Sequence, residues 1–136
     1  MLLPTMPNYQ FSCQVVTHHL DEQSAPEQHI FAFAYTITIR NTGKVAAQLI
    51  SRHWVIRDAN GHTEEVKGLG VVGSQPLLKP GEAFEYSSGT RLRTPSGVMH
   101  GSYFCVAEDG ERFEAEVPLF VLQAEVNGRP AGRVLH

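Results

Sequence analysis

HIFAFAYTITIR, residues His29 to Arg40, alternates Phe31, Phe33, Tyr35, Ile37 and Ile39 with small or polar residues. A period of two marks a strand with one face on a core and the other toward water. Asn41-Thr42-Gly43 ends the run. The next run, QLISRHWVIRD, is expected to place Ile50, Trp54 and Ile56 on one face and His53, Val55 and Arg57 on the other. Asn60-Gly61 then signals a tight hairpin that returns the chain into HTEEVK.

The same period continues in both directions. YQFSCQVVTHHL precedes the opening stretch as a further strand, and GEAFEYSS follows the turn Lys79-Pro80-Gly81. VMHGSYFCVA and RFEAEV flank a second hairpin at Glu108-Asp109-Gly110. PLFVLQ follows Pro118, which suits an edge strand or a strand start because proline cannot donate to a ladder. No apolar residues recur at helical spacing over ten residues without Gly or Pro intervening. Seven or eight short strands separated by turns imply an all-β fold in one domain, an antiparallel β-sandwich of the immunoglobulin or fibronectin type III kind. Phe33, Tyr35, Ile37, Trp54, Ile56, Tyr103 and Phe113 are its candidate core. The sandwich is expected over residues 11–124, between an N-terminal segment 1–10 and a C-terminal tail 125–136.

A chain of 136 residues, 42% hydrophobic and 18% charged, can bury a core without staples. Its formal net charge of -3 leaves no electrostatic footprint for nucleic acid or an acidic membrane surface. Arg52, Arg57, Lys67, Lys79, Arg91 and Arg93 concentrate in the middle third, which reads as a solvated face. MLLPTMPNYQ has no basic start and no sustained apolar run, so no secretory signal is expected. Cys13 and Cys105 match no metal or redox spacing and should be free thiols in a cytoplasmic protein.

GLGVVG, Gly68 to Gly73, fits the dinucleotide pattern G-x-G-x-x-G. That pattern works when its glycines close a strand-to-helix turn that aims a helix N-terminus at a pyrophosphate. Pro76 and Pro80 forbid a long helix after the loop, so the dinucleotide fold is excluded. Two readings remain. Backbone N–H groups of Gly68, Gly70 and Gly73 could form a nest for a small anion, with Lys67, Arg52, Arg91 and Arg93 supplying positive charge. Alternatively, the glycines only let the chain cross between sheets at unusual dihedrals.

Catalytic constellations are absent from the sequence. No G-x-S-x-G nucleophile elbow occurs, and no H-E-x-x-H or Cys/His pair has zinc spacing. His53 reads as an outer-face histidine, and Glu64-Glu65 and Glu114/Glu116 read as solvent faces. No catalytic residue, metal ligand or cofactor is expected.

SRHWVIRDANG (Ser51 to Gly61), EEVKGLGVVGSQPLLKPGE (Glu64 to Glu82), FEYSSGT, TPSGVMHGSY and EDGERFEAEVPLFVL occur in order, and together they resemble the bacterial ApaG family from about Val15 through Leu122. The resemblance implies a single fibronectin type III-like β-sandwich. It also implies a genetic association with cobalt tolerance and magnesium efflux, under the name CorD, and a neighbourhood to diadenosine tetraphosphate hydrolysis. Related domains fused to F-box and polymerase-interacting proteins imply a protein-interaction module. The glycine loop is discussed in that family as a possible pyrophosphate site. Two functions follow. One is a non-enzymatic adaptor that holds an unidentified protein partner, itself a monomer or weak homodimer. The other is a nucleotide or pyrophosphate binder, or a phosphohydrolase. The adaptor reading is favoured, because phosphoryl transfer would need a metal or a carboxylate cluster that the sequence does not display.

Overall fold

The computed structural model describes residues 7–126 and 129–130. Its strands are β1 (Phe11–His19), β2 (Phe31–Asn41), β3 (Ala47–Asp58), β4 (Thr63–Leu69), β5 (Leu77–Leu78), β6 (Ala83–Leu92), β7 (Ser96–Ala107), β8 (Arg112–Gln123), β9 (Glu125–Val126) and β10 (Arg129–Pro130). Two antiparallel sheets form a sandwich. One has the order β1-β2-β6, and the other β4-β3-β7-β8 with β5 added to β3. The short strands β9 and β10 pair with each other. Among the described residues there is no α-helix, only single helical turns at Asp21–Gln23 and Pro26–Gln28.

The alternation of β2 does what its sequence dictates. Phe31, Phe33, Tyr35, Ile37 and Ile39 are all buried, and Thr36 and Thr38 face outward to bond Ser87 and Glu85 of β6. Trp54, Ile56 and Tyr103 are buried as well. The Asn60-Gly61 signal closes β3 onto β4, with Gly61 at φ 85° and its amide donating to the Asp58 carbonyl. The Asp58 carboxylate holds the same turn by accepting from the Asn60 and His62 amides. Asn41 is buried and satisfied. Its Nδ2 donates to the Val45 and Leu78 carbonyls and its Oδ1 accepts from Gly43 N–H, tying the β2–β3 loop to β5.

Two bulges correct the expected faces. Leu49 pairs Cys105 while Ser51 pairs Phe104, so Ile50 is an extra residue in β3. The bulge flips the parity of the strand, and Ala47 and Leu49 are its core residues before it, Trp54 and Ile56 after it. Ile50 is therefore half-buried and not a core residue. In β8, Gly101 pairs Val117 while Met99 pairs Phe120, so Pro118-Leu119 face the single residue His100. RFEAEV and PLFVLQ are thus one continuous strand with a proline bulge on the sheet edge. Beyond it the parity flips again, and Leu119 and Val121 point outward. Phe113 is half-buried at the sandwich end, stacked edge-on to Phe11 at 5.5 Å.

Four rings join the sheets. Trp54 of β3 meets Tyr35 of β2 at 5.7 Å, Tyr103 of β7 at 5.9 Å and Phe120 of β8 at 6.1 Å, each near edge-to-face. A second bond crosses the core where the Tyr86 and Tyr103 hydroxyls lie 2.5 Å apart. Burial raises both phenols well above their ordinary 10.0 and pushes the thiols of Cys13 and Cys105 up to about 11 and about 12. Both cysteines are free. As neutral thiols they behave as small apolar groups in the core.

Truncating Trp54 to Ala is expected to cost about 3–5 kcal/mol in a urea titration, because the indole is 3% exposed. Gly101→Ala should also destabilise, by about 1–3 kcal/mol, since a Cβ there would strike the His53 carbonyl and sit 2.7 Å from the Trp54 ring. A loss below about 1 kcal/mol in either would contradict this packing.

Candidate functional site

The glycine loop is an excursion from a sheet edge. β4 pairs with β3 from Ser51 to Arg57, and β5 resumes pairing with the same strand at Ala47 and Gln48. Between them the chain leaves the edge beside the Ile50 bulge. Gly70 begins the turn at φ 64°, and its N–H donates to the Ile50 carbonyl at 2.8 Å. Val71 and Ser74 exchange both backbone hydrogen bonds, at 2.8 and 2.9 Å, around Val72 and Gly73. Those two residues have φ 42° and 79°, the left-handed pair that a type I′ hairpin tip requires. Val71 plugs the core at 0% exposure and pins the hairpin down. Gln75 Nε2 adds a bond to the Ile50 carbonyl, which the bulge leaves pointing into the loop.

Each glycine of the motif has its own reason. A Cβ on Gly68 would meet the Arg52 guanidinium at 2.8 Å, and one on Gly70 would meet the Ser74 carbonyl at 2.5 Å. Gly73 has open space and needs only its positive φ. Arg52 lies across Gly68, and its Nη1 donates to the Leu69 and Gly70 carbonyls at 3.0 and 2.9 Å. No helix follows the loop; the next element is β5.

The structure brings Arg52, Lys67 and Gly68 together on one groove of about 420 Å³. Gly70 meets Arg52 through its carbonyl, and Gly73 stands at the hairpin tip. Arg91 is elsewhere, on β6 beside Glu64, His62 and Arg93 in a separate depression of about 120 Å³. Of the loop amides, those of Gly70, Val71 and Ser74 are spent on the backbone. Among the described residues the Val72 and Gly73 amides have no partner.

The groove itself escaped sequence reasoning. It lies on the outer face of the five-stranded sheet, where cross-strand pairing lines up Leu69, Ser51, Phe104 and Glu114 in one row. Lys67, His53, Ser102 and Glu116 form the next row. His53 Nε2 is buried 3.3 Å from Glu65 Oε1 and makes no hydrogen bond among the described residues. A signal for this face existed. Glu65, Lys67 and Leu69 share one parity, so Leu69 falls in phase with charged, solvent-facing residues. Three large apolar side chains stand out on this edge: Leu69, Val72 and Leu77 are 76%, 61% and 60% exposed. Among the described residues no three His, Cys, Asp or Glu side chains converge on a position that could hold a metal ion. No helix among them is long and apolar enough to cross a membrane.

The chain belongs to the ApaG family: the ApaG domain matches residues 21–107. It is 67% identical over 137 aligned positions to Protein ApaG of Acidovorax sp. (strain JS42), covering 96% of this chain and all of that one. It is 63% identical to Protein ApaG of Ralstonia nicotianae, covering 86% of this chain and 94% of the relative. The crystal structure of the putative ApaA protein from Bordetella pertussis superposes with a TM-score of 0.85 at 50% identity, over 89% of this chain and 98% of that one.

The loop geometry makes opposite predictions for neighbouring positions. Gly70→Ala should destabilise by several kcal/mol, roughly 2–4, because strain and a backbone clash add. Gly73→Ala should cost only about 1 kcal/mol, from its left-handed backbone alone. Val72→Asn should stabilise by about 0.5–1 kcal/mol, since a β-branched residue at positive φ gives way to one that tolerates it. Urea midpoints of the three variants check the order.

Proposed function

We propose that the protein is a binding module that holds another protein, using the end of the five-stranded sheet that carries the glycine hairpin, and that it works in the cytoplasm. The observation that carries this reading is the set Leu69, Val72 and Leu77, three exposed apolar side chains on one sheet edge. Single exposed apolar residues are ordinary, but a group of them on one sheet edge marks a contact surface. Val72 adds a second sign. It sits at φ 42° at a hairpin tip where Asn or Gly would be unstrained. The fold holds it there by the Val71 plug below and the Val71–Ser74 bonds, and strained positions held in this way cluster at binding and switch sites. The free thiols support a reducing compartment.

The test compares surfaces. Immobilised protein with Val72→Asp, Leu69→Ser or, as a control on the other sheet, the exposed Val16→Asp is presented to lysate of the native cell. A partner retained by the parent protein and by the Val16 variant, and lost with the other two, supports the reading. A partner held equally by all four removes the hairpin from the interface.

A small anion at the hairpin tip is the second reading. It is favoured by the Val72 and Gly73 amides, which lack partners among the described residues. Two exposed amides without a helix dipole should bind weakly, at millimolar Kd or about 4 kcal/mol. An NMR titration with phosphate and pyrophosphate should then shift Val72 and Gly73 and spare Gly70, Val71 and Ser74. Absence of saturable shifts at tens of millimolar ligand, roughly ten times that Kd, leaves the loop without an anion.

A further inference from the structure

The outer-face groove has a chemistry of its own that the hairpin does not share. Its floor is small and hydroxylic: Ser51 and Ser102 lie on adjacent rows and make no side-chain hydrogen bond among the described residues. Leu69 and Phe104 stand on either side of Ser51 as two apolar walls. Strands lie about 4.8 Å apart, so the walls rise from backbones roughly 10 Å apart and leave room for one apolar side chain or ring between them. Beyond Phe104 the groove ends at Glu114, and the next row ends at Glu116.

The charges across this face are uneven. Glu114 and Glu116 are exposed, on the same face of β8, and form no ion pair among the described residues. The Arg52 guanidinium is spent on the Leu69 and Gly70 carbonyls; among the described residues Lys67 on the far side and Arg112, two positions before Glu114 on the same face of β8, are cations of this face without an ion pair. Glu114 and Glu116 outnumber Arg112 along β8, so the end of the groove beside the apolar slot carries a net negative charge. The space continues past Ser102 and Glu114 into a second depression of about 490 Å³ toward Leu119. Together the two are long enough for several residues of extended chain and too open for a small molecule to be enclosed.

We infer that this groove takes an extended segment of the protein partner that carries one large apolar side chain, seated between Leu69 and Phe104, and a lysine or arginine next to it on the same side, facing Glu114 and Glu116. The inference rests on the binding-module reading and adds the partner's chemistry to it. The apolar side chain contributes affinity by leaving water. The cation contributes selectivity and orientation, because a carboxylate in its place would meet two unpaired carboxylates.

The probes are capped five-residue serine peptides bearing phenylalanine at the second position and lysine or glutamate at the fourth, with a third that has serine in place of phenylalanine. They are titrated into isotope-labelled protein and read at the amides of Ser51, Ser102 and Phe104. The phenylalanine–lysine peptide should give saturable shifts at millimolar Kd. The glutamate peptide should bind roughly three- to tenfold more weakly, a difference that shrinks as salt screens the exposed charges. The peptide without phenylalanine should not saturate. In E114K/E116K, at two exposed positions that leave the core untouched, the preference should invert. Equal binding of the lysine and glutamate peptides, or no saturable shift with any peptide, overturns the inference. The native partner separates the two levels. If E114K/E116K retains a partner that Val72→Asp loses, the groove chemistry is wrong and the module reading stands.

Discussion

The Trp54 indole is the point on which the two sheets close. It reaches Tyr35 in the opposite sheet and Tyr103 and Phe120 in its own, and it can lie flat on β7 because position 101 is glycine. A methyl group there would strike both the His53 backbone and the ring. The Tyr86–Tyr103 hydroxyl pair then satisfies the only polar atoms of those two rings inside the core, where an unpaired hydroxyl would cost about 1–3 kcal/mol. Because these contacts fix the sheet from inside, its outer face contributes little to holding the sandwich together. That face is where serines and glutamates without partners among the described residues, and an exposed leucine, can be carried at low cost.

The glycine motif shows how a sequence pattern can be real and still mean something different. All three glycines are required or favoured by geometry, and the Gly70 amide is spent on the Ile50 carbonyl. Gly68 makes space for a guanidinium, Gly70 for a carbonyl, and Gly73 only for a backbone angle. What the loop presents outward is a side chain, Val72, on a backbone unsuited to it. A hairpin built only to cross an edge would do better with asparagine there.

The sheets were legible because alternation in β2, the Asn60-Gly61 turn and the buried Trp54 are local signals that tertiary packing did not overrule. The faces of β3 and β8 were not fully legible. A bulge inserts one residue, reverses parity beyond it, and leaves no mark in composition; Ile50 was expected where Leu49 is buried for this reason. Arg91 was placed with the loop only by its charge and its place in the chain. Its position depends on β6 lying in the other sheet, which no local pattern reveals. The groove was invisible as a unit because its rows draw one residue from each of four strands, and only the register brings Ser51, Ser102 and Phe104 side by side.

Register also bears on how a partner would approach the five-stranded sheet. An incoming strand would need a free, regular edge. On β8 the edge is interrupted by Pro118, which donates no hydrogen bond, at a bulge that bends the strand. On β4 the Arg52 guanidinium already occupies the Leu69 carbonyl, and the hairpin breaks the line between β4 and β5. Both edges are therefore poor templates for strand addition. A partner gains more by lying across the strands, over side chains, than by pairing with them. Recognition across strands reads rows of side chains, which is why the row-by-row order of apolar wall, hydroxyl floor and carboxylate end carries specificity that the backbone of this sheet cannot.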